Sequence, residues 1–267
     1  MTRLEGKIAI VTAATRGIGF AIVCRLAEEG ATVYMGTPSM EEAAEPLATL
    51  YEKGYNVNAV YNNAFERDTY QAMVDEVVAK EGRVDILVNN FGTSNPKVDK
   101  DILETDYDTF MRTLDNNLSS VYLGVQAVIP QMKAQGGGSI INISSVSSLR
   151  PSNSQIAYGA AKSTINFLTK SVAVQCADLG IRCNAVLPGM TATGAVAASL
   201  SDGFKSTFLK HVPLERMATP EEIGGAVAYF ASDDAAFVTA QLLEVGGGYG
   251  VPAPIYGDLR GKAEKRS

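Results

Sequence analysis

Short apolar runs of strand length alternate with longer helical patterns along most of this chain, and this alternation constrains the fold more than any other feature. Strands that alternate with helices predict parallel strands joined by helical crossovers. The runs are almost wholly apolar, as expected of strands buried on both faces of a sheet. The predicted strands are Lys7–Thr12, Thr32–Met35, Val57–Tyr61, Val84–Asn89, Ser139–Ile143, Ile181–Leu187 and Gln241–Val245.

Six helices are predicted between and after these strands: Gly17–Glu29, Met40–Lys53, Asp68–Lys80, Asp106–Lys133, Gln155–Ala177 and Pro220–Ala231. Together the elements predict a single α/β domain over residues 1–267. We expect a doubly wound, seven-stranded, mostly parallel sheet with helices on both faces and right-handed crossovers. An insert at about 190–213 and a Gly/Pro-containing tail at about 246–267 interrupt the pattern.

Composition and charge exclude several classes of protein. A net charge of −6 provides no basic surface for nucleic acid or for anionic lipid. No run of apolar residues is long enough to cross a membrane, and the first residues lack the apolar region of a secretory signal. The three cysteines, Cys24, Cys176 and Cys183, form no paired motif. They are expected to be free thiols in a reducing cytoplasm, which is the predicted location.

Histidine content excludes two kinds of catalytic site. His211 is the only histidine in the chain, so a zinc site built from several histidines is impossible. A serine–histidine hydrolase would need this residue, and its neighbours do not resemble a triad. We therefore expect His211 to be structural and the activity to require no metal.

A glycine-containing segment follows the first predicted strand and opens the first helix: Thr12-Ala13-Ala14-Thr15-Arg16-Gly17-Ile18-Gly19. Glycines in such a turn allow the backbone to approach a diphosphate closely. The N-terminus of the helix adds free N–H groups and a favourable dipole. The segment therefore predicts a dinucleotide site.

This segment resembles the Thr-Gly-x-x-x-Gly-x-Gly signature of the short-chain dehydrogenase/reductase family, with Ala13 at the usual first glycine. The resemblance covers about residues 3–248 and implies a Rossmann-like fold that binds NAD or NADP. It extends to three further segments: Asn63-Ala64, Asn89-Asn90-Phe91-Gly92 and Pro188–Thr193. At Asn63-Ala64, relatives often have Asp-Val facing the adenine. Phe91 replaces a small residue and is expected to narrow the pocket. The implied cofactor contacts are Ala13, Thr15, Arg16, Gly17, Ile18, Gly19, Thr37, Asn63, Ala64, Asn90, Gly92, Tyr158, Lys162, Pro188, Gly189, Thr191 and Thr193.

The end of the second strand favours NADP over NAD. NAD-preferring enzymes often have an acid here that binds the ribose 2′-hydroxyl. This chain has Thr37 instead, and no carboxylate occurs before Glu41. The family resemblance places Arg16 near a 2′-phosphate. NADP is therefore the predicted cofactor, although NAD can still bind with the loss of one contact.

Tyr158 and Lys162 are the candidate acid–base pair. They are four residues apart in a predicted helix and so share one face. A nearby ammonium favours the phenolate and lowers the pKa of a tyrosine from its usual ~10. The pair is therefore expected to carry a proton to or from the substrate.

The family resemblance adds two residues to this pair. It implies that Ser145, thirteen residues before Tyr158, holds the substrate oxygen, and that Asn117 fixes a water between Lys162 and solvent. Asn116 is the alternative register for the asparagine. The neighbouring serines, Ser144, Ser147 and Ser148, are interpreted as structural.

The substrate is indicated by the insert and by a finer resemblance. Apolar side chains on a predicted helix of the insert suit an apolar substrate, or else simply pack: Met190, Val196, Leu200, Phe204, Phe208 and Leu209. A finer resemblance links this chain to bacterial bile-acid 7α- and 12α-hydroxysteroid dehydrogenases. The segments that carry it are Asn63-Ala64, Asn-Asn-Phe-Gly, Phe208–Leu214 and the tail near Pro254–Tyr256. The position attacked, 7α or 12α, stays open.

Two other functions remain as alternatives. One is a 3-oxoacyl-[acyl-carrier-protein] reductase, and the other is a catalytically idle relative retained as a binding subunit. The intact set of Asn117, Ser145, Tyr158 and Lys162 speaks against the idle relative.

A homotetramer is the predicted assembly. The family resemblance assigns the two long helices, Asp106–Lys133 and Gln155–Ala177, to subunit contacts. Their apolar positions exceed what one sheet-facing stripe requires: Val121, Leu123, Val125, Ile165, Phe167 and Leu168.

Overall fold

The computed structural model describes residues 2–194, 196, 200–253 and 255–259. Seven strands form one sheet in the order β3-β2-β1-β4-β5-β6-β7, and each of the six pairings is parallel. The predicted α/β sheet is therefore confirmed, and it is parallel throughout. The strands are β1 Ile8–Val11, β2 Thr32–Thr37, β3 Val57–Tyr61, β4 Ile86–Asn89, β5 Gly138–Ile143, β6 Ile181–Pro188 and β7 Leu242–Val245.

The six predicted helices are present, with ends that differ by a few residues. The described helices are α1 Gly17–Glu28, α2 Met40–Glu52, α3 Thr69–Glu81, α4 Tyr107–Ala134, α5 Ile156–Gln175, α6 Asp202–Leu209, α7 Pro220–Ala231 and α8 Tyr256–Leu259. Side chains of α1, α2 and α7 share one buried cluster with the sheet, and those of α3, α4 and α5 share another. The helices thus cover both faces, as predicted.

The insert differs from the single helix that its apolar pattern predicted. Helix α6 begins only at Asp202, because Ser201 caps it by accepting a hydrogen bond from the Phe204 N–H. Met190 and Leu200 lie outside this helix. Residues 195 and 197–199 of the insert, and residues 254 and 260–267 of the predicted tail, lie outside the described residues.

The outer faces of α4 and α5 carry apolar side chains, but mostly not those predicted for subunit contacts. Val121, Val125 and Ile165 are buried against the sheet. Of the predicted set, only Phe167 is largely exposed. Three of the six positions counted as surplus therefore belong to the sheet-facing stripe itself. The exposed apolar residues of the two helices are Tyr107, Met111, Tyr122, Phe167 and Val174.

The strand order locates the functional edge. Because all seven strands are parallel, their carboxyl ends lie along one edge of the sheet. The chain order reverses between β1 and β4, where a crevice opens in doubly wound sheets. The glycine-containing segment follows β1, and the Asn-Asn-Phe-Gly segment follows β4. Among the described residues, no helix is both long and apolar enough to cross a bilayer.

Candidate active site

The glycine-containing loop packs tightly against the start of α1. A Cβ at Gly19 would lie 2.4 Å from the Ala13 carbonyl oxygen and 2.9 Å from the Ala14 Cα, so only glycine fits there. Ala13 has φ +50°, a left-handed conformation that costs a residue with a Cβ about 1–2 kcal/mol. The glycine that the family usually has here would avoid this strain.

The first turn of α1 suits a diphosphate. Its N-cap is Arg16, whose side chain makes no capping hydrogen bond within the described part of the chain. The opening N–H groups and the helix dipole are therefore available to an anion. Thr193 lies over this turn, since its Cγ2 is 3.5 Å from the position of a Cβ at Gly17. The Pro188–Thr193 segment and the loop thus face one another, and this arrangement fits a nicotinamide dinucleotide.

Asn90 holds the loop in place. Its Nδ2 donates to the carbonyl oxygens of Thr12, at 3.1 Å, and Ala13, at 2.9 Å. Its backbone N–H donates to the Thr12 hydroxyl at 2.9 Å. Both donors of its side chain are therefore committed to the backbone of the loop. Asn90 was predicted to contact the cofactor, and the structure assigns its side chain to the support of that site.

The predicted 2′-phosphate region contains a cation and no acid. Arg16 is exposed and forms no ion pair with the described residues. Thr37 is fully buried. Its hydroxyl donates to the Ser39 carbonyl oxygen at 2.9 Å and accepts from the Ser39 N–H at 3.1 Å. Thr37 thus shapes the turn after β2, while Arg16 is free to meet a phosphate.

The turn after β3 is held by hydrogen bonds from the side chain of Asn63. The Asn63 Oδ1 accepts from the Phe65 N–H at 3.1 Å, and its Nδ2 donates to Glu66 at 2.8 Å. These bonds use one of the two Nδ2 hydrogens and one of the two Oδ1 lone pairs, so Asn63 can also bond to an adenine ring. Ala64, beside it, is half-buried. The rings of Phe65 and Phe91 meet edge to face at 5.6 Å, so the large residue at position 91 bridges the loops that follow β3 and β4.

Helix α5 brings Tyr158 and Lys162 together. The Lys162 Nζ lies 5.6 Å from the centre of the Tyr158 ring and donates to the Ile143 carbonyl oxygen at 2.9 Å. Lys162 is buried, and this burial lowers its pKa to about 8. The pair predicted from the spacing therefore exists, with an ammonium that can lose its proton near neutral pH.

The pKa of Tyr158 is raised, not lowered as the sequence predicted. Burial of the phenol causes the rise, and a hydrogen bond with Ser145 partly opposes it. The prediction was wrong because it counted the charge of Lys162 but not the loss of solvent around both groups. A phenol with a raised pKa is protonated at neutral pH.

Ser145 follows β5 and caps the short 3₁₀ turn Val146–Ser148, and its neighbours fix that turn. The Ser145 Oγ accepts from the Ser147 N–H at 3.1 Å, which sets the position of the hydroxyl. Ser144 donates to the Lys162 carbonyl oxygen at 3.2 Å, and Ser148 accepts from Asn166 at 2.7 Å. Ser144, Ser147 and Ser148 thus make structural contacts, as interpreted from the sequence.

Asn117, not Asn116, faces the site. A Cβ at Gly92 would lie 2.8 Å from the Lys162 Nζ and 3.3 Å from the Asn117 Oδ1, so Gly92 leaves room between them. Asn117 is fully buried, and its side chain exchanges hydrogen bonds with the Thr93 backbone at 3.0 and 2.8 Å. Asn117 therefore ties the segment after β4 to the middle of α4.

The segment after β6 closes the opposite side of the crevice. The Gly189 N–H donates to the Val245 carbonyl oxygen at 2.9 Å, and a Cβ at Gly189 would lie 2.8 Å from the Gly246 Cα. Thr191 is buried, and its hydroxyl donates to the Gly189 carbonyl oxygen at 3.0 Å. The remaining predicted cofactor residues belong to the same segments: Thr15 and Ile18 follow β1, and Pro188 ends β6.

Aromatic side chains join the insert to the tail. Phe208 of α6 stacks on Tyr249 at 4.6 Å, and Phe204 lies 6.3 Å from Phe208. A cavity beside them is lined by Arg150, His211, Tyr249, Gly250, Pro252, Ala253 and Tyr256. His211 packs here against Gly257 of α8. Among the described residues, no group of three His, Cys, Asp or Glu side chains is placed to hold a metal ion.

One residue near Tyr158 was missed from the sequence. Asp99, in the loop between β4 and α4, is fully buried, and its carboxylate accepts hydrogen bonds from the N–H groups of Ala157 and Tyr158. No local pattern marks it, because its partners lie almost sixty residues further along the chain. The weak N-cap of α5, Gln155, was the available signal that a distant group must cap this helix.

Comparisons with known proteins identify the family. A family model described as enoyl-(acyl carrier protein) reductase matches residues 12–250. A 7α-hydroxysteroid dehydrogenase of Clostridium sardiniense is 49% identical over 258 residues, which cover 97% of this chain and 98% of the relative. The chain belongs to the short-chain dehydrogenase/reductase family. The predicted nicotinamide-dependent oxidoreductase is thereby confirmed.

Two further matches correspond to the two candidate enzyme functions. A solved 7α-hydroxysteroid dehydrogenase in complex with NADH and 7-oxo glycochenodeoxycholic acid superposes with a TM-score of 0.88. It is 29% identical in sequence, and the match covers 93% of this chain and 96% of that one. A 3-oxoacyl-[acyl-carrier-protein] reductase of Thermotoga maritima is 35% identical, over 92% of this chain and 98% of the relative.

Proposed function

We propose that this protein is a 7α-hydroxysteroid dehydrogenase that interconverts the 7α-hydroxyl group of a bile acid and the ketone. The observation that carries the proposal is the full-length 49% identity to an enzyme of that name. A bile-acid complex of a structural neighbour supports the same substrate class. These relatives favour position 7α over the 12α alternative left open by the sequence.

In this proposal Ser145 and Tyr158 hold the substrate oxygen. During oxidation the Tyr158 phenol first gives up its own proton to the path that runs by Lys162, and the resulting phenolate accepts the hydroxyl proton. The C7 hydrogen leaves with its electron pair, and the C–O bond becomes a carbonyl. The nicotinamide, when bound, accepts this hydride. Reduction runs in reverse, and the protonated phenol favoured by the raised pKa of Tyr158 is the form that donates to the ketone oxygen.

Lys162 serves the proton path. Its ammonium lies beside the Tyr158 ring, and its pKa of about 8 allows it to gain and lose a proton near neutral pH. The Asn117 Oδ1 and the Lys162 Nζ both lie beside Gly92, consistent with the water-fixing role that the family resemblance implies. The other residues of the crevice orient the reactants, which is the main contribution of the protein in hydride transfer.

The rival, a 3-oxoacyl-[acyl-carrier-protein] reductase, is less well supported. Its match is 35% identical, against 49% for the hydroxysteroid dehydrogenase. An acidic carrier protein also needs a basic docking surface. Two cations near the insert are already paired, Lys205 with Asp202 at 3.5 Å and Arg216 with Glu222 at 2.6 Å. The other cation of the insert is the exposed Lys210, which is little positive charge for a carrier at that edge.

A direct comparison of the two substrate classes tests the proposal. In one assay the purified protein is incubated with cholic acid and NADP, and in the other with an acetoacetyl thioester of acyl carrier protein and NADPH. Both reactions are followed by the absorbance of the nicotinamide. We expect oxidation of cholic acid and negligible reduction of the thioester. Turnover of the thioester with none on cholic acid would reject the hydroxysteroid assignment in favour of the reductase.

We also propose NADP as the preferred cofactor, with NAD able to bind. The exposed, unpaired Arg16 and the absence of a carboxylate between Thr37 and Met40 support this preference. The predicted location is the cytoplasm, in keeping with three thiols that form no disulfide in the described structure.

The exposed apolar faces of α4 and α5 support a homotetramer. Phe167 is 74% exposed and Val174 is 76% exposed, which is unfavourable for side chains of this size on a surface in water. A second copy of the same face would bury both helices in a dimer, and two such dimers would form the tetramer that the family resemblance implies. We expect a tetramer by sedimentation at micromolar concentration and smaller species for Phe167→Asp. A monomer of the unaltered protein would contradict this assembly.

A further inference from the structure

Helix α5 carries Tyr158 in its first turn but has no cap of its own. Its N-cap, Gln155, is in the left-handed conformation with φ +61° and makes no side-chain capping bond within the described residues. The first N–H groups of a helix have no partner inside it. Because Ala157 is buried and Tyr158 half-buried, these groups need acceptors from elsewhere in the protein.

Asp99 and Lys100 supply all four acceptors. The two carboxylate oxygens of Asp99 accept from the Ala157 N–H at 2.9 Å and from the Tyr158 N–H at 3.0 Å. The Asp99 carbonyl oxygen accepts from the Gln155 N–H at 3.1 Å, and the Lys100 carbonyl oxygen accepts from the Ile156 N–H at 3.2 Å. Four consecutive N–H groups are thus bound by two adjacent residues.

The carboxylate of Asp99 is fully buried, and no described residue forms an ion pair with it. Its negative charge is therefore stabilised by the two N–H groups and by the positive end of the α5 dipole. Hydrogen bonds to a charged group are stronger than those between neutral groups, so this contact fixes the backbone of Tyr158 firmly.

The segment 93–100 also forms hydrogen bonds with Asn117 and Gln155. At its start, Asn117 exchanges hydrogen bonds with the Thr93 backbone. Next to it, the Gln155 Nε2 donates to the Ser94 hydroxyl at 2.6 Å. The segment therefore connects the middle of α4 to the first turn of α5, and Asp99 is the point at which it holds Tyr158.

From this geometry we infer that Asp99 is a positioning residue, which acts by holding the Tyr158 backbone so that the phenol meets the substrate oxygen. The inference rests on the proposed role of Tyr158 as the proton carrier. A displacement of about 1 Å at a reacting group can reduce the rate by up to ~10²-fold. In Asp99→Asn an NH₂ group replaces one of the two carboxylate oxygens. This donor then faces the backbone N–H of Ala157 or Tyr158, so the first turn of α5 must shift.

The test compares Asp99→Asn with Asp101→Asn. Asp101 is a matched control, because its carboxylate also accepts two backbone N–H bonds, from Leu103 and Glu104 at 2.9 Å, and both bonds stay within its own loop. A 7-oxo bile acid is reduced with NADPH, and turnover is expressed per cofactor-binding site, counted by fluorescence titration. The primary kinetic isotope effect is measured with NADPH deuterated at the transferred hydrogen.

We expect kcat of Asp99→Asn to fall about tenfold per binding site. Its affinity for NADPH should be unchanged, and its isotope effect on kcat larger, because the chemical step is slowed. Asp101→Asn should match the unaltered protein. A purely structural role for Asp99 would lower the number of binding sites and leave the isotope effect unchanged, and that result overturns the inference.

Ser94→Ala keeps the inference testable if Asp99→Asn does not fold. This substitution removes the hydrogen bond from Gln155 to Ser94 and should raise the isotope effect on kcat, but less than Asp99→Asn does. An isotope effect equal to that of the unaltered protein counts against the inference. The unaltered protein is assayed first. If it does not reduce the 7-oxo acid, the proposed function fails, whereas an active parent with an unaffected Asp99→Asn contradicts only the role of Asp99.

Discussion

Tyr158→Phe is expected to lower turnover by about 10²–10⁴-fold, the usual contribution of a general acid–base group, while the protein still folds and binds its cofactor. The phenol oxygen is the proposed proton carrier, and phenylalanine retains the ring that packs beside Lys162. Turnover, the circular dichroism spectrum and the cofactor dissociation constant are measured on the same preparation.

Tyr51→Phe is the matched control for this substitution. Tyr51 is an exposed residue of α2, 55% accessible and remote from the crevice, so the loss of its hydroxyl should leave turnover unaltered. Near-normal turnover of a correctly folded Tyr158→Phe protein would contradict the mechanism, whatever the substrate.

Arg16→Ala is expected to weaken NADP binding with little effect on NAD. The exposed guanidinium has no partner among the described residues, so a 2′-phosphate would be its main contact. A hydrogen bond to a charged group contributes about 1.5–3 kcal/mol, which corresponds to roughly a 10–100-fold loss of NADP affinity. Lys133→Ala removes an exposed cation in the last turn of α4 and serves as the control.

Thr37→Asp tests the same preference from the opposite direction. A carboxylate at the end of β2 should accept from the ribose 2′-hydroxyl and repel a 2′-phosphate, which shifts the preference toward NAD. The substitution also removes the hydrogen bond from Thr37 to Ser39, so thermal unfolding is measured alongside affinity. Tighter binding of NAD than of NADP by the unaltered protein would show that the interpretation of this loop is wrong.

The elements of the fold were predictable because each leaves a local signal. The strand β1 is a run of four apolar residues, and α7 begins with a capping box at Thr219 and Glu222 followed by a periodic apolar stripe. The start of α6 at Asp202 was less predictable, since the apolar residues of the insert continue on both sides of it.

The site was predictable where its geometry is local and not where it depends on distant contacts. Tyr158 and Lys162 share a helix face by spacing alone. The burial that raises the pKa of Tyr158, and the capping of α5 by Asp99, result from packing between segments far apart in the chain. Such effects require the fold, which is why the direction of one pKa was wrong and one positioning residue was missed.

The most direct test of the central claim is the position of oxidation. Chenodeoxycholic acid has a 7α-hydroxyl and no 12α-hydroxyl, and deoxycholic acid has the reverse. Each is incubated with the purified protein and NADP, and the new ketone is located by NMR because both acids also carry a 3α-hydroxyl. We predict that chenodeoxycholic acid gives the 7-oxo acid and that deoxycholic acid is not oxidised. Oxidation of deoxycholic acid at position 12, with none of chenodeoxycholic acid at position 7, would contradict the assignment.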